Sequence, residues 1–187
     1  MKTQGRSLII VATLLVVASA MSRLVLYPYN FSPMIAMALF GGAVIKDKKY
    51  AIALPVFAML LSDVLFEVLH IAVGFWGWGQ LIGYGIMIGI TFLGSLIRKI
   101  SVISVGATTL LSSLIFFLLS NSSVFFLQGN FNPTYSTDFD GYINCLSAGL
   151  PFLKNSMIAD LTFSAILFGA YYVSMQNVKQ VSLAKTK

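Results

Sequence analysis

Long apolar runs separated by short polar segments make up most of the chain. A helix that crosses a lipid bilayer needs about 20 mostly apolar residues, with a range of about 17–25. Six runs approach this length, at residues 7–26, 31–45, 50–71, 80–97, 102–120 and 156–175. The pattern therefore predicts an all-α integral membrane protein, with a single transmembrane domain over residues 1–187 built as one bundle of six helices.

The second run is the shortest of the six and contains the pair Gly41-Gly42. As a helix it would rise only roughly 22 Å, which is less than the thickness of the hydrocarbon core. We expect a short or broken span that lies against protein rather than lipid, because irregular backbone within a membrane needs protein or water around it.

The basic residues predict how this bundle is oriented. If the N-terminus is cytoplasmic and the runs alternate in direction, ten of the 12 Lys and Arg residues lie inside, and only Arg23 and Lys154 lie outside. Such an excess is typical of cytoplasmic loops and tails, so we expect a multi-pass inner-membrane protein with both termini in the cytoplasm. A cleaved signal peptide ending at Ala18-Ser19-Ala20 is the alternative for the first run, but the run continues to residue 26, which favours a retained helix.

The composition agrees with a lipid setting and narrows the chemistry. Hydrophobic residues make up 58% of the chain and charged residues 10%, whereas soluble domains carry about 25% charge. The formal net charge is +6, but topology explains the basic residues, so no nucleic-acid partner is predicted. One Cys and one His exclude a disulfide framework and a zinc finger, and the phosphate-loop, His-Glu-x-x-His and Gly-x-Ser-x-Gly motifs do not occur. We predict no cofactor, no metal and no enzymatic activity.

Ionisable residues occupy unusual positions inside the apolar runs. Asp63, Glu67 and His70 have the spacing i, i+4, i+7, which would stack them on one face of the third helix. Arg23 at the outer end of the first helix and Asp160 in the sixth lie at the same depth. Such residues face a bundle interior or a water-filled cavity, so we predict a substrate pocket in the outer half of the bundle. Its predicted substrate-binding residues are Arg23, Tyr29, Asn30, Asp63, Glu67, His70, Trp76, Trp78, Tyr84, Asn155 and Asp160.

These positions also have structural interpretations. Asp63 would pair with Arg23 simply to join two helices, and Glu67 and His70 would be solvated at the membrane surface. The aromatic residues would form the belt that is found at any membrane interface. Glu67-x-x-His70 would place two metal ligands together, but di-metal bundles carry that motif on two helices and it occurs once here.

Two further patterns concern packing. Gly79-x-x-x-Gly83 and Gly85-x-x-x-Gly89 in the fourth run, and Ala165-x-x-x-Gly169 in the sixth, predict close helix packing within this chain or against a partner subunit. The connection at residues 121–155 is the only long one and is predicted to lie outside. Within it, residues 142–150 would form a short helix on the outer surface or dipping inward, ended or bent by Pro151.

Several motifs resemble a known family. Ser-Arg-Leu at residues 22–24, Pro-Tyr-Asn-Phe-Ser-Pro at 28–33 and Ala-Leu-Phe-Gly-Gly-Ala at 38–43 look like the opening of an uncharacterised family of bacterial membrane proteins classed with transport proteins. The same holds for Leu-Leu-Ser-Asp at residues 60–63 and for residues 149–156 and 160–163. The similarity covers residues 22–172, which is most of the chain.

That family is similar in size and layout to the substrate-binding S components of energy-coupling-factor (ECF) vitamin transporters. The resemblance implies six helices, cytoplasmic termini and an outer pocket capped by residues 27–33 and part of 121–155. It also implies a coupling membrane subunit or ATPase module as a partner. S components usually carry Ala-x-x-x-Ala on the first helix, and the nearest match here is Ala18-x-x-x-Ser22.

The leading hypothesis is therefore a protein of the bacterial inner membrane that binds or transports a small vitamin- or metabolite-like molecule. The rival hypotheses are a structural or assembly subunit of a larger membrane complex, and a membrane enzyme that uses Asp63, Glu67 and His70 on a lipid. A cavity of several hundred Å³ between helices one, three and six would favour transport. A closed Asp63–Arg23 pair without a cavity would favour the subunit, and a metal at Glu67 and His70 would favour the enzyme.

Overall fold

The structure is a computed structural model that describes the backbone of residues 2–25, 30–75, 77–129 and 133–184, and the side chains of residues 7–25, 30–75, 77–129 and 133–177. These residues form six α-helices and no strand. In chain order the helices are α1 (Lys2–Ser22), α2 (Met34–Val44), α3 (Lys48–Val68), α4 (Trp78–Ser95), α5 (Val102–Leu127) and α6 (Phe139–Ala184).

The short helix α2 lies at the centre of the bundle. It has 11 residues, a length of roughly 16 Å, and it contacts each of the other five helices. Residues 35–42 are all buried, and the Phe40 ring packs edge-on against Phe168 and Tyr171 of α6. The prediction that the second run lies against protein is confirmed.

Helices α2 and α4 cross with their backbones in contact. A Cβ atom at Gly42 would lie 1.9 Å from the Thr91 carbonyl oxygen, and one at Gly94 would lie 2.2 Å from the Leu39 carbonyl oxygen. No side chain fits at either glycine, so these two positions fix the crossing. They are not the glycines that the sequence motifs singled out.

The glycines in the predicted packing motifs have open space around them. No atom lies within 4 Å of a Cβ built at Gly83, Gly85, Gly89 or Gly169. The prediction that these glycines bring helices of this chain close together is wrong. Gly83 lines an internal cavity, and Gly85 and Gly89 line a groove between α4 and α5.

Helices α5 and α6 form a longer antiparallel pair than the sequence predicted. Helix α5 continues to Leu127, and the 46-residue helix α6 passes through Pro151, so the predicted connection at residues 121–155 shrinks to residues 128–138. Proline costs this helix one backbone hydrogen bond, but contacts along its length offset the loss. The Phe125 and Tyr142 rings are 5.3 Å apart, and Gly149 lets α6 approach Asn121 of α5.

Large apolar side chains are exposed along the helices, and ten polar or charged residues are buried beside the hydrophobic core. Among the large exposed residues, Val102 is 91% exposed, Trp78 77% and Phe57 65%. Three helical stretches are long and apolar enough to cross a membrane, at Lys48–Val68, Val102–Leu127 and Phe139–Asn177, whereas Ser7–Ser22 and Met34–Val44 are shorter apolar helices. The buried polar residues are Ser19, Ser62, Asp63, Gln80, Thr91, Thr109, Ser112, Ser113, Asp160 and Ser164.

Candidate ligand-binding cavity

A cavity of about 380 Å³ lies inside the bundle. Its wall comes from the C-terminal parts of α3 and α5, the N-terminal turns of α2 and α4, and the middle of α6. Arg23, Asn30 and Ser32 of the α1–α2 connection complete it. This end of the bundle is opposite the two basic connections, at residues 45–49 and 96–101. The volume falls within the range of small-molecule sites, about 300–1,000 Å³.

Asp63 is the centre of a polar cluster on one wall of this cavity. It is 3% exposed, and its Oδ1 atom accepts a hydrogen bond from Arg23 Nη1 at 2.6 Å in a salt bridge. Its Oδ2 atom accepts hydrogen bonds from Gln80 Nε2 at 2.8 Å and from the Tyr84 hydroxyl. One carboxylate thereby connects the end of α1 with α3 and α4.

Arg23 has further partners besides Asp63. Its Nη1 atom also donates to the Ser62 hydroxyl and, at 3.4 Å, to the Met59 carbonyl oxygen. The guanidinium carbon lies 5.0 Å from the centroid of the Phe66 ring, within the range of cation–π attraction. Arg23 is thus held against α3 by charge, hydrogen bonds and an aromatic face at once.

The loop after α3 folds back over this cluster. Gly74 packs so closely on α3 that a Cβ there would lie 2.1 Å from the Asp63 carbonyl oxygen. The Gly74 N–H donates to Glu67 Oε2 at 3.0 Å, and its carbonyl accepts from Gln80 Nε2 at 2.9 Å. Glu67 therefore holds the loop in place, and its side chain does not line the cavity.

His70 departs from the predicted helical face. Helix α3 ends at Val68, and His70 is an exposed residue with φ of 52° in the turn that follows. The prediction that Asp63, Glu67 and His70 stack on one helical face is wrong at His70, because the helix ends before it. No group of three or more His, Cys, Asp or Glu side chains suited to a metal ion occurs among the described residues.

Asp160 occupies the opposite wall, on α6. It is 1% exposed, and its Oδ2 atom accepts a hydrogen bond from the Ser113 hydroxyl of α5 at 2.7 Å. One turn further along both helices, the Thr109 and Ser164 hydroxyls are 3.0 Å apart. Within the described side chains the one ion pair is Arg23–Asp63, so Asp160 has a hydroxyl partner and no cation.

The structure brings five of the predicted binding residues to the cavity wall and leaves four elsewhere. Tyr29 and Trp76 lie outside the described residues. Trp78 points away from the bundle interior and is 77% exposed, and Asn155 is half-buried beside the cavity-lining Ser156. The five at the wall are Arg23, Asn30, Asp63, Tyr84 and Asp160, and the four elsewhere are Glu67, His70, Trp78 and Asn155.

Several wall residues are not among the predicted binding residues. Gln80 and Ser113 bond directly to the two buried carboxylates, and Phe116, Phe117 and Phe152 supply aromatic surface. A signal for Ser113 was present, because Thr109 and Ser113 are four apart on one helix, as are Asp160 and Ser164 on the next. Matching two such pairs across helices requires knowing which helices are neighbours.

Together, the all-helical fold and the partly open internal cavity define a helical-bundle protein with a small-molecule-sized site. The model of a family of unknown function (DUF6580) matches residues 2–182. The chain therefore belongs to this family. No curated protein and no solved structure matches the chain.

Proposed function

We propose that this protein is a six-span inner-membrane protein that binds a small molecule in the cavity and takes part in its transport. The observation that carries the proposal is the cavity itself. It is of small-molecule size and is partly open to the surface, and its wall combines apolar side chains with polar and aromatic ones from α3, α4, α5 and α6. A solute carrier needs such a site, whereas a purely structural subunit does not.

The surface supports a membrane location. A soluble protein rarely exposes contiguous apolar patches larger than a few hundred Å². Here apolar side chains are exposed along α3, α4, α5 and α6, for example Phe57, Phe92, Leu118 and Ile166. The buried polar residues and the apolar exterior are the arrangement expected where lipid is the solvent.

The charges support an outward-facing cavity. The connections at residues 45–49 and 96–101 carry Lys46, Lys48, Lys49, Arg98 and Lys99, and they lie at the end of the bundle opposite the cavity. The positive-inside rule places basic connections in the cytoplasm. On that orientation the cavity opens to the outer side, and transport requires helix rearrangement on the cytoplasmic side.

The resemblance to ECF S components adds a substrate class and a partner to the proposal. An outer pocket within six helices suits a vitamin- or metabolite-like molecule, and a coupling subunit or ATPase module would supply the energy. The alternative, an assembly subunit, is favoured by the open glycine face of α4, where Gly85 and Gly89 line an apolar groove. Small residues of this kind allow close approach of a partner helix.

Two glycine substitutions test the proposal. Gly83 is buried at the cavity wall with no atom within 4 Å of a Cβ built there, so the side chain of Gly83→Leu should extend into the cavity. Gly85 is equally open but faces the groove, so Gly85→Leu is the matched control. Wild-type and both variants are purified and screened for thermal stabilisation by a panel of vitamins and small metabolites.

We expect at least one compound to stabilise the wild-type and the Gly85→Leu protein but not the Gly83→Leu protein. Failure of every compound to stabilise the wild-type protein, or stabilisation that persists in Gly83→Leu, rejects the cavity as a binding site. Native mass spectrometry of the same samples tests the alternative. A co-purifying subunit that is lost only in Gly85→Leu would support an assembly role.

A further inference from the structure

The charges at the cavity wall do not balance. Three charged side chains line it, and two of them, Arg23 and Asp63, form a salt bridge of 2.6 Å. The third, Asp160, is 1% exposed and receives one hydrogen bond, from the neutral Ser113 hydroxyl. Among the described side chains that line the cavity, there is therefore one more carboxylate than there are cations.

An ionised carboxylate that is buried without a cation is expensive. The effective penalty for removing such an ion from water is several kcal/mol, and a neutral hydroxyl partner recovers only part of it. A cation on the ligand would supply the missing charge. The salt bridge on the opposite wall supplies none, because Arg23 is engaged with Asp63, Ser62 and the Met59 carbonyl.

The rest of the wall suits a cation that carries an apolar group. Phe117 and Phe152 present aromatic rings, which attract cations through their faces and pack against apolar groups. Ser120, Asn121 and Ser156 provide neutral oxygen atoms that accept hydrogen bonds from an ammonium group. An anion would meet Asp160 and find no cation among the described side chains that line the cavity, apart from Arg23 in the salt bridge.

We propose that the cavity selects small amphipathic monocations, with a protonated amine seated between Asp160 and the neutral acceptors and the apolar part against the phenylalanines. This inference rests on the proposed function, since it assigns a substrate class to the same cavity. Asp63 and Arg23 then have a structural role on the facing wall, and Asp160 is the residue that discriminates by charge.

Three probes of nearly equal shape and different charge test the inference. Tryptamine is a cation at neutral pH, tryptophol is neutral, and indole-3-acetate is an anion. Their binding to the purified full chain in lipid nanodiscs is measured by calorimetry for the wild-type protein, Asp160→Asn and Asp140→Asn. Asp140 is an exposed aspartate that does not line the cavity, so its variant is the charge-matched control.

We expect the wild-type protein and Asp140→Asn to bind tryptamine at least about tenfold more tightly than either other probe, a difference of about 1.4 kcal/mol. Asp160→Asn should lose this preference. The amide can still accept a hydrogen bond from Ser113, so the variant should fold.

Several results would overturn the inference. They are equal binding of tryptamine and tryptophol to the wild-type protein, tighter binding of indole-3-acetate, no tryptamine signal at millimolar concentration, and an unchanged preference in Asp160→Asn. Each of these results leaves the proposed function standing if stabilisation by the metabolite panel is still abolished in Gly83→Leu. Loss of that dependence rejects both proposals together.

Discussion

The salt bridge between Arg23 and Asp63 gives the sharpest test of how the bundle is held together. Asp63 is 3% exposed and the Arg23 side chain is 16% exposed, so removal of either leaves its partner charged and largely out of water. Breaking a buried pair in this way costs about 3–5 kcal/mol. Each residue keeps other partners, Ser62 for Arg23 and Tyr84 for Asp63, so we place the loss nearer 3 kcal/mol.

The double variant should lose less stability than the two single variants together. Asp63→Asn and Arg23→Met should each lower the free energy of unfolding by about 3 kcal/mol. In the double variant neither charge is left unpaired, so its loss should be smaller than the sum by about 2–3 kcal/mol. The measurement is reversible unfolding by SDS in mixed micelles, followed by far-ultraviolet circular dichroism.

The control cycle uses Asp140→Asn and Lys154→Met, two exposed positions on α6. These substitutions should change stability by about 0.5 kcal/mol or less and should be additive. Additivity of Arg23→Met and Asp63→Asn to within about 0.5 kcal/mol would refute the coupling of α1 to α3 through this pair.

Three other predictions test separate parts of the fold. Gly94→Ala should lower the free energy of unfolding by about 3 kcal/mol or more, because its methyl group would lie 2.2 Å from the Leu39 carbonyl oxygen. Gly89→Ala is the control and should be neutral, because a Cβ there meets no atom within 4 Å. Equal melting temperatures for these two variants would contradict the crossing of α2 and α4. Pro151→Ala should raise the melting temperature, because it restores a helical N–H donor, and a lower value would show that α6 needs the proline. A hydrogen bond from the Ser136 hydroxyl, and secondly one from a backbone N–H, hold the pKa of Asp138 below its ordinary value. The ionised Asp138 therefore contributes its full stabilisation of the folded protein above the unfolded-state pKa, and this stabilisation is lost as pH falls through the folded-state pKa. Asp138 caps α6 by accepting a hydrogen bond from the Gly141 N–H at 2.9 Å. Asp138→Asn should therefore weaken the acid dependence of stability in that window, and an unchanged dependence in pH-dependent thermal unfolding would count against this cap.

Much of the bundle follows from local patterns in the sequence. The short second run, the burial of Asp63 and Asp160 and the nearness of Arg23 to Asp63 could be predicted, because apolar run lengths and misplaced charges depend on local sequence. These features also indicated that the cavity lies away from the basic connections.

Other features depend on contacts between distant segments. Helix α6 continues through Pro151 because α5 packs along it, and that packing outweighs the local preference of proline. His70 leaves the helical face because the chain turns there, and the following loop returns to α3, where the Gly74 N–H donates to Glu67. The pairing of Ser113 with Asp160 likewise requires the neighbour relations of the helices.

On the proposed membrane location, the shortness of α2 has a consequence for how the membrane potential falls across the protein. The cavity reaches Met34 and Ile35 in the first turn of α2, so what remains of this helix below the cavity is roughly 13 Å long. Where water fills the cavity, the transmembrane voltage would fall mainly across the thin protein layer below the cavity rather than across the whole hydrocarbon core. On the proposed function and orientation, the membrane potential, worth about 2.3 kcal/mol per charge per 100 mV, would then act on a bound cation chiefly during its final step toward the cytoplasm.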